Sequence, residues 1–376
     1  MLRPIRCAFL FASFAPLAAP AAAQFSLPGL QQQFARQRDE LYRNGALPTQ
    51  EQETALLKQQ VETLQKFVAG AKGEDRWNGC LMLADLRLGL RDRSGAKEAL
   101  GDIDADAAPP LVLLTAADMF GRLGEKEQRD KLVARALEKD APLAERMAMA
   151  RVLMTALREV KKGEQIFTDA LAQAKDDEAR AYVRWNHADA LRQREDLPDN
   201  AFNDALEQLS RDLPNTYFGC VAHDRNLASQ FKLGGDPIPF TVKTTENTTV
   251  DLAALHGRAV LLVFWASGDE RSKGLIDALA PVRKRDGDDL FALGIGLDAD
   301  PKAFARNCTQ LGATFLQVCD GKGWMTDLAL RYGVEVVPTM IAIDRKGKLA
   351  GLNLHVDNKE ARDELDAALQ RALARE

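Results

Sequence analysis

The chain has 376 residues, 28% charged and 46% hydrophobic, with a formal net charge of -5. This length suits two domains of ordinary size, and the composition excludes a disordered chain. The acidic balance excludes nucleic acid as the main partner, because phosphate binding needs a basic face.

The N-terminus opens with "MLRPIR", which carries two arginines, followed by the apolar run "CAFLFASFAPLAAP" and then "AAAQ". A positive start, an apolar core too short to span a bilayer and small residues at Ala21 and Ala23 are in the order of a secretory signal peptide. The expectation is a signal over residues 1–23, a mature chain from Gln24, and export to the periplasm or beyond. No later segment has the length of a membrane span, so none is expected in the mature chain. Cys7 leaves with the signal. Cys80, Cys220, Cys308 and Cys319 remain, too few for a disulfide scaffold, and read as separate thiols.

Residues 24–49 read as a linker or leading helix. From 50 to 232 alanine, leucine, glutamate, lysine and arginine dominate, and strand-like alternation is absent. Breaks near Leu100, Lys139, Lys175 and Pro214 divide this region into helix–turn–helix units about 35 residues long. Such hairpins bury their apolar faces only by stacking on neighbours. Ala84, Ala117, Ala150 and Ala188 fall at similar places in the first helices, where close approach favours small side chains. The array loosely resembles tetratricopeptide repeats.

"FKLGGDPIPFTV" ends the helical pattern with two glycines and two prolines. From 233 to 376, the runs "RAVLLVFW", "LFALGIGL", "TFLQVC" and "TMIAID" alternate with helical segments. Strands alternating with helices predict an α/β domain with a largely parallel sheet. Within it, "LLVFWASGDERSKG" reads as a strand, a tight turn and a helix start. "SGDE" fits a capping box with Ser267 as N-cap and Glu270 reaching back.

The order of these blocks, above all "FWAS" and "YGVEVVPTMIAIDRKGK", resembles the thioredoxin-like fold of the redoxin group, which includes periplasmic disulfide reductases. The group's W-A-x-W-C-x-x-C run, laid on this chain, matches Trp265 and Ala266. It puts Asp269 and Ser272 where the two cysteines stand. The resemblance also implies a cis bond at Val337–Pro338 facing that position. Thr339 would then present backbone beside it, and Trp265 would border a groove. "DGKGW" reads as a turn that leaves Trp324 either packed or lining that groove.

A carboxylate and a hydroxyl do not exchange with sulfur, so a dithiol reductase at positions 269 and 272 is excluded. Cys308 on a helix and Cys319 at a strand end differ in height by roughly 17 Å if Gly312 is the turn, too far for a disulfide. Cys319 reads either as a plain strand-end residue or as a lone thiol site on the edge that carries Asp269. The four histidines have no ligand spacing with the cysteines, so no metal and no cofactor are expected. Asp298 and Asp300 read as turn residues or caps. Three functions stay open: binding of a protein or peptide in envelope assembly, thiol–disulfide chemistry at a cysteine such as Cys319, or a structural scaffold.

Overall fold

The computed structural model describes residues 26–42, 48–198, 200–286 and 289–374. The expected signal segment lies outside them. Among the described residues the chain forms two compact units, one reaching Ala205 and the other running from Leu206. Among the described residues, no helix is long and apolar enough to cross a membrane.

The first unit is helical throughout. Helix α1 (Leu27–Tyr42) precedes α2 (Gln50–Gly70), which starts on a capping box between Thr49 and Gln52. Four hairpins follow: α3 (Gly73–Gly89) with α4 (Arg93–Gly101), α5 (Pro110–Arg122) with α6 (Lys126–Leu137), α7 (Leu143–Thr155) with α8 (Val160–Gln173), and α9 (Asp177–Arg192) with α10 (Ala201–Asp212). The last of these helices crosses the division between the units. Ala84, Ala117, Ala150 and Ala188 are completely buried, as close helix approach requires. Gly163 has the same cause, since a side chain there would meet the Ala150 carbonyl and Met154.

The hairpin turns repeat a local device. Leu90, Leu123 and Leu157 are each followed by a residue with positive φ: Arg91, Gly124 and Arg158. An acid then begins the next helix: Asp92, Glu125 and Glu159. The second and third of these turns are held by the preceding hairpin. The Arg93 guanidinium donates to the Leu123 carbonyl at 2.7 Å, and that of Arg129 to the Leu157 carbonyl at 3.1 Å. Lys97 pairs with Glu125, and Arg129 with Glu159. These contacts give C-terminal helix carbonyls the donors they otherwise lack.

The second unit contains α11 (Tyr217–Ala228), a short hairpin of β1 (Thr241–Lys243) and β2 (Thr249–Asp251), and a five-stranded sheet. The sheet strands are β3 (Ala259–Trp265), β4 (Leu290–Gly296), β5 (Leu316–Val318), β6 (Thr339–Ile343) and β7 (Leu349–Leu354), in the order β5-β4-β3-β6-β7. Helices α12 (Glu270–Asp286), α13 (Pro301–Leu311), α14 (Asp327–Arg331) and α15 (Lys359–Leu373) complete it.

Every residue of β3 is buried, so alternate side chains enter opposite layers. Leu261, Val263 and Trp265 pack with Leu275, Leu279, Phe304 and Leu365 of α12, α13 and α15. Val260, Leu262 and Phe264 pack with Phe240, Leu328 and Tyr332 on the other side. Helix α11 adjoins α14 through the Asp224–Arg331 and Arg225–Glu335 ion pairs.

The sheet is mixed rather than largely parallel. β3, β4 and β5 are parallel, whereas β6 runs antiparallel to β3 and β7. β7 is antiparallel to β6 because the turn between them is tight, closed by the Asp344 N–H on the Lys348 carbonyl at 2.7 Å and by Gly347 at φ +78. A turn this short joins only antiparallel strands.

Candidate functional site at the carboxyl edge of the sheet

Strand register brings the residues singled out in the sequence to one edge. Trp265 pairs with Gly296, and Ile295 with Val318, so Cys319 stands beside the end of β4. Phe264 pairs with Thr339, which puts Pro338 level with Trp265. The Val337–Pro338 bond is cis.

From Trp265 the chain turns through Ala266–Asp269 into α12. Asp269, not Ser267, is the capping residue: its Oδ1 accepts the Arg271 N–H at 2.9 Å. The helix begins at Glu270, so the expected box starts two residues too early. Arg271 folds back and binds both Asp269 oxygens, at 3.2 and 2.7 Å. That bond to Asp269, outweighing partial burial, raises the arginine pKa further, and Asp357 adds to it.

Ser267 is drawn away by Asp298. Its N–H and hydroxyl donate to the two Asp298 oxygens at 2.9 and 2.5 Å, while Asn307 donates to its Oγ at 2.8 Å. Ser272 is fully buried, and its Oγ accepts the Ala266 N–H at 3.4 Å. The nearby hydroxyls and carboxylates are therefore engaged in holding the turn. Asp300 caps α13, accepting from the Lys302 and Ala303 N–H groups at 2.8 and 3.1 Å.

The groove residues separate by exposure. Trp265 is 0% exposed; its Nε1 donates to the buried Gln317 Oε1 at 3.1 Å, and its ring packs on Phe304. It is a core residue and borders no groove. β4 admits these two partners because Gly294 and Gly296 leave the space that Gln317 and Phe304 fill. Val337, Pro338 and Thr339 are buried as well. Thr339 opens β6 and pairs with Phe264 of β3. Exposure falls one residue earlier, at Val336 (54%), and at Trp324 (51%) in the short turn Gly323–Met325.

Cys319 is half-buried, and its Sγ donates to the Asp298 carbonyl at 3.5 Å. Burial raises its pKa, and this outweighs a Gly321 N–H that favours the thiolate. Such a thiol is a weaker nucleophile at neutral pH than a free cysteine.

Sequence reading missed His355, whose ring bonds the Pro338 carbonyl at 2.9 Å through Nδ1. A carbonyl only accepts, so Nδ1 carries the proton. The available signal was the β6–β7 hairpin: with Met340 opposite Leu354, His355 falls beside the start of β6. The tie between Asp298 and Ser267 had no local signal, since it joins two different strand ends.

The C-terminal domain is thioredoxin-like: helices cover both faces of the mixed sheet, and a cis-proline stands beside the strand that feeds α12. The family model Redoxin matches residues 233–369. No curated protein matches. Solved structures similar to this region include a thiol-disulfide oxidoreductase from Bacteroides fragilis, 24% identical, covering 36% of this chain and 98% of that one at a TM-score of 0.32. A thiol:disulfide interchange protein of the thioredoxin family from Chlorobium tepidum is 18% identical, covering 38% and 99% at 0.32. A secreted disulfide oxidoreductase from Mycobacterium tuberculosis is 21% identical, covering 35% and 94% at 0.30.

Proposed function

We propose that this chain is an exported protein that binds a protein or peptide partner in the cell envelope, with Asp269 and Ser272 standing where redoxin relatives keep their cysteines. The carrying observation is the state of those two side chains. Asp269 is held by Arg271, and Ser272 is buried under the Ala266 N–H. Neither is a sulfur nucleophile, so thiol exchange has no starting point there. Val336, Trp324 and Met325 are exposed apolar side chains on the loops of the same domain, and exposed apolar side chains are the material of protein contacts.

Two assays test this reading. The purified full chain is expected to show negligible reduction of insulin disulfides. A photo-crosslinker at position 336 is expected to capture one discrete protein in cells, while one at the exposed Glu364 on α15 captures none. Equal, diffuse capture at both positions would favour the scaffold reading. Export predicts a mature N-terminus at Gln24, read by sequencing protein from the envelope fraction; an intact Met1 on cytosolic protein would remove it.

A second reading, thiol–disulfide chemistry at Cys319, is favoured by the match to the redoxin family model and by the residue's place on the edge that carries the α12 start. Loss of a measurable exchange activity on replacing Cys319 with serine would rank it first.

A further inference from the structure

The clasp between successive hairpins stops at the third step. Four residues past Glu125 stands Arg129, which reaches the next turn, whereas four residues past Glu159 stands Gly163. Five residues past Asp92 stands Lys97, which pairs with Glu125, whereas five past Glu159 stands Glu164. Packing requires Gly163, since a Cβ there would meet Met154 and the Ala150 carbonyl. Glu164 turns instead to His187 of α9 at 2.9 Å. Among the described residues, no cation of α8 holds the turn after α9.

The space left there is a cavity of about 360 Å³. One wall is the α7–α8 turn, with Met154, Arg158 and Val160; the other is the turn after α9, with Arg194, Glu195 and Asp196. The charges on these walls differ in their use. Arg194 binds both Asp196 oxygens, at 3.0 and 2.6 Å, so these two satisfy each other. Glu159, which begins α8, is held by Arg129 and Lys162. Arg158 and Glu195 are exposed and, among the described residues, make no hydrogen bond or ion pair. The charge of Arg158 is felt at Asp196, but after that of Arg194. Helix α8 opens at Val160 without a side-chain cap, and such a helix start favours an anion.

A ligand of one sign would match one wall and meet its own charge on the other. A phosphate would face Glu195 and Asp196, and an amine would face Arg158 and Arg194. We propose that this cavity binds a small zwitterion of the α-amino-acid class, its carboxylate on Arg158 at the α8 start and its ammonium on Glu195, with its side chain against Met154 and Val160. A guanidinium offers paired donors to both carboxylate oxygens, and an ammonium donates to a carboxylate. The volume is at the small end of ligand pockets, which run from roughly 300 to 1,000 Å³, and suits a single amino acid. The site lies wholly within the helical unit and rests neither on the partner-binding reading nor on Cys319.

The test uses the full chain. Saturation-transfer NMR with the standard L-amino acids in equal amounts reads which are bound. Transfer to at least one is expected, and transfer to none would overturn the proposal. For the strongest binder, calorimetry compares the free amino acid with its N-acetyl and its carboxamide forms. Each derivative lacks one charge and is expected to bind at least about tenfold more weakly. Either derivative binding as well as the free amino acid would overturn the zwitterion assignment. Arg158→Gly and Glu195→Gln are each expected to lower affinity at least about tenfold. Arg158 stands at φ +57, which glycine adopts without steric cost. Arg91→Gly, the same change at φ +61 in the first hairpin, is the control expected to leave binding unchanged. Binding that survives both cavity variants would overturn the site, because the amino acid would then sit elsewhere on the chain.

Discussion

Asp298 holds Ser267 through both carboxylate oxygens, at 2.9 Å to its N–H and 2.5 Å to its hydroxyl. This joins the end of β4 to the turn that opens α12. Ser267 thus serves as a brace at the start of α12. Asp298→Ala is expected to cost about 1–2 kcal/mol, since hydrogen bonds to a charged acceptor exceed neutral ones and the site is only half-buried. Asp298→Asn, which keeps one acceptor, is expected to cost less than half of that. Urea unfolding measures both; equal stability for Asp298→Ala and the parent would mean that the turn stands without its brace.

The turn can be asked to regain the chemistry it lacks. Asp269 and Ser272 are one helical turn apart, with the Ser272 N–H on the Asp269 carbonyl at 3.0 Å. Asp269→Cys combined with Ser272→Cys is expected to form an intramolecular disulfide in mild oxidant, with the first thiol acidified by the helix N-terminus. Mass spectrometry of the bridged peptide reads the outcome. A folded double variant whose new thiols never pair would place the family's reactive position elsewhere.

The helical unit depends on the clasps between successive hairpins. Arg129, with its side chain 23% exposed, reaches both the Leu157 carbonyl and Glu159. Arg129→Ala is expected to destabilise this unit by about 1–2 kcal/mol, from a lost charge-assisted bond and an unpartnered helix-end carbonyl. Arg93→Ala, which removes the equivalent bond to Leu123, is expected to act in the same direction. Thermal unfolding compares them with Lys131→Ala, an exposed control on the same helix.

Asp85 supplies a pH test. Burial, outweighing the attraction of Arg122 and Arg38, raises its pKa above the ordinary 3.8. The folded chain therefore holds this proton to higher pH than the unfolded chain does. Stability from this group falls as pH rises from 3.8 through the folded value, and the loss persists at neutral pH. Asp85→Asn is expected to stabilise the unit at pH 7 by up to about 1 kcal/mol, a figure lowered by solvent around a half-buried group, and to change little once Asp85 is protonated. Unfolding midpoints across the acidic range decide it. A larger gain at low pH than at pH 7 would contradict the sign.

Much of this architecture was legible in the chain. Hairpin spacing, the change of pattern near "FKLGGDPIPFTV" and the "FWAS" and "VVPT" blocks led to a helical array followed by a thioredoxin-like domain. Those signals are local, because periodicity and turn residues act within a few positions of themselves. The αL positions Arg91, Gly124 and Arg158 carried no such signal, since two of them are arginines.

Composition and order alone determined that positions 269 and 272 hold no thiol and that the C-terminal half alternates strands with helices. Tertiary structure decided how the side chains are used. Trp265 reads as a groove residue until Gln317 and Phe304 enclose it, and Ser267 reads as a cap until Asp298 takes its hydroxyl. Each contact joins residues far apart in sequence, and its formation depends on strand register and helix packing that no single segment specifies.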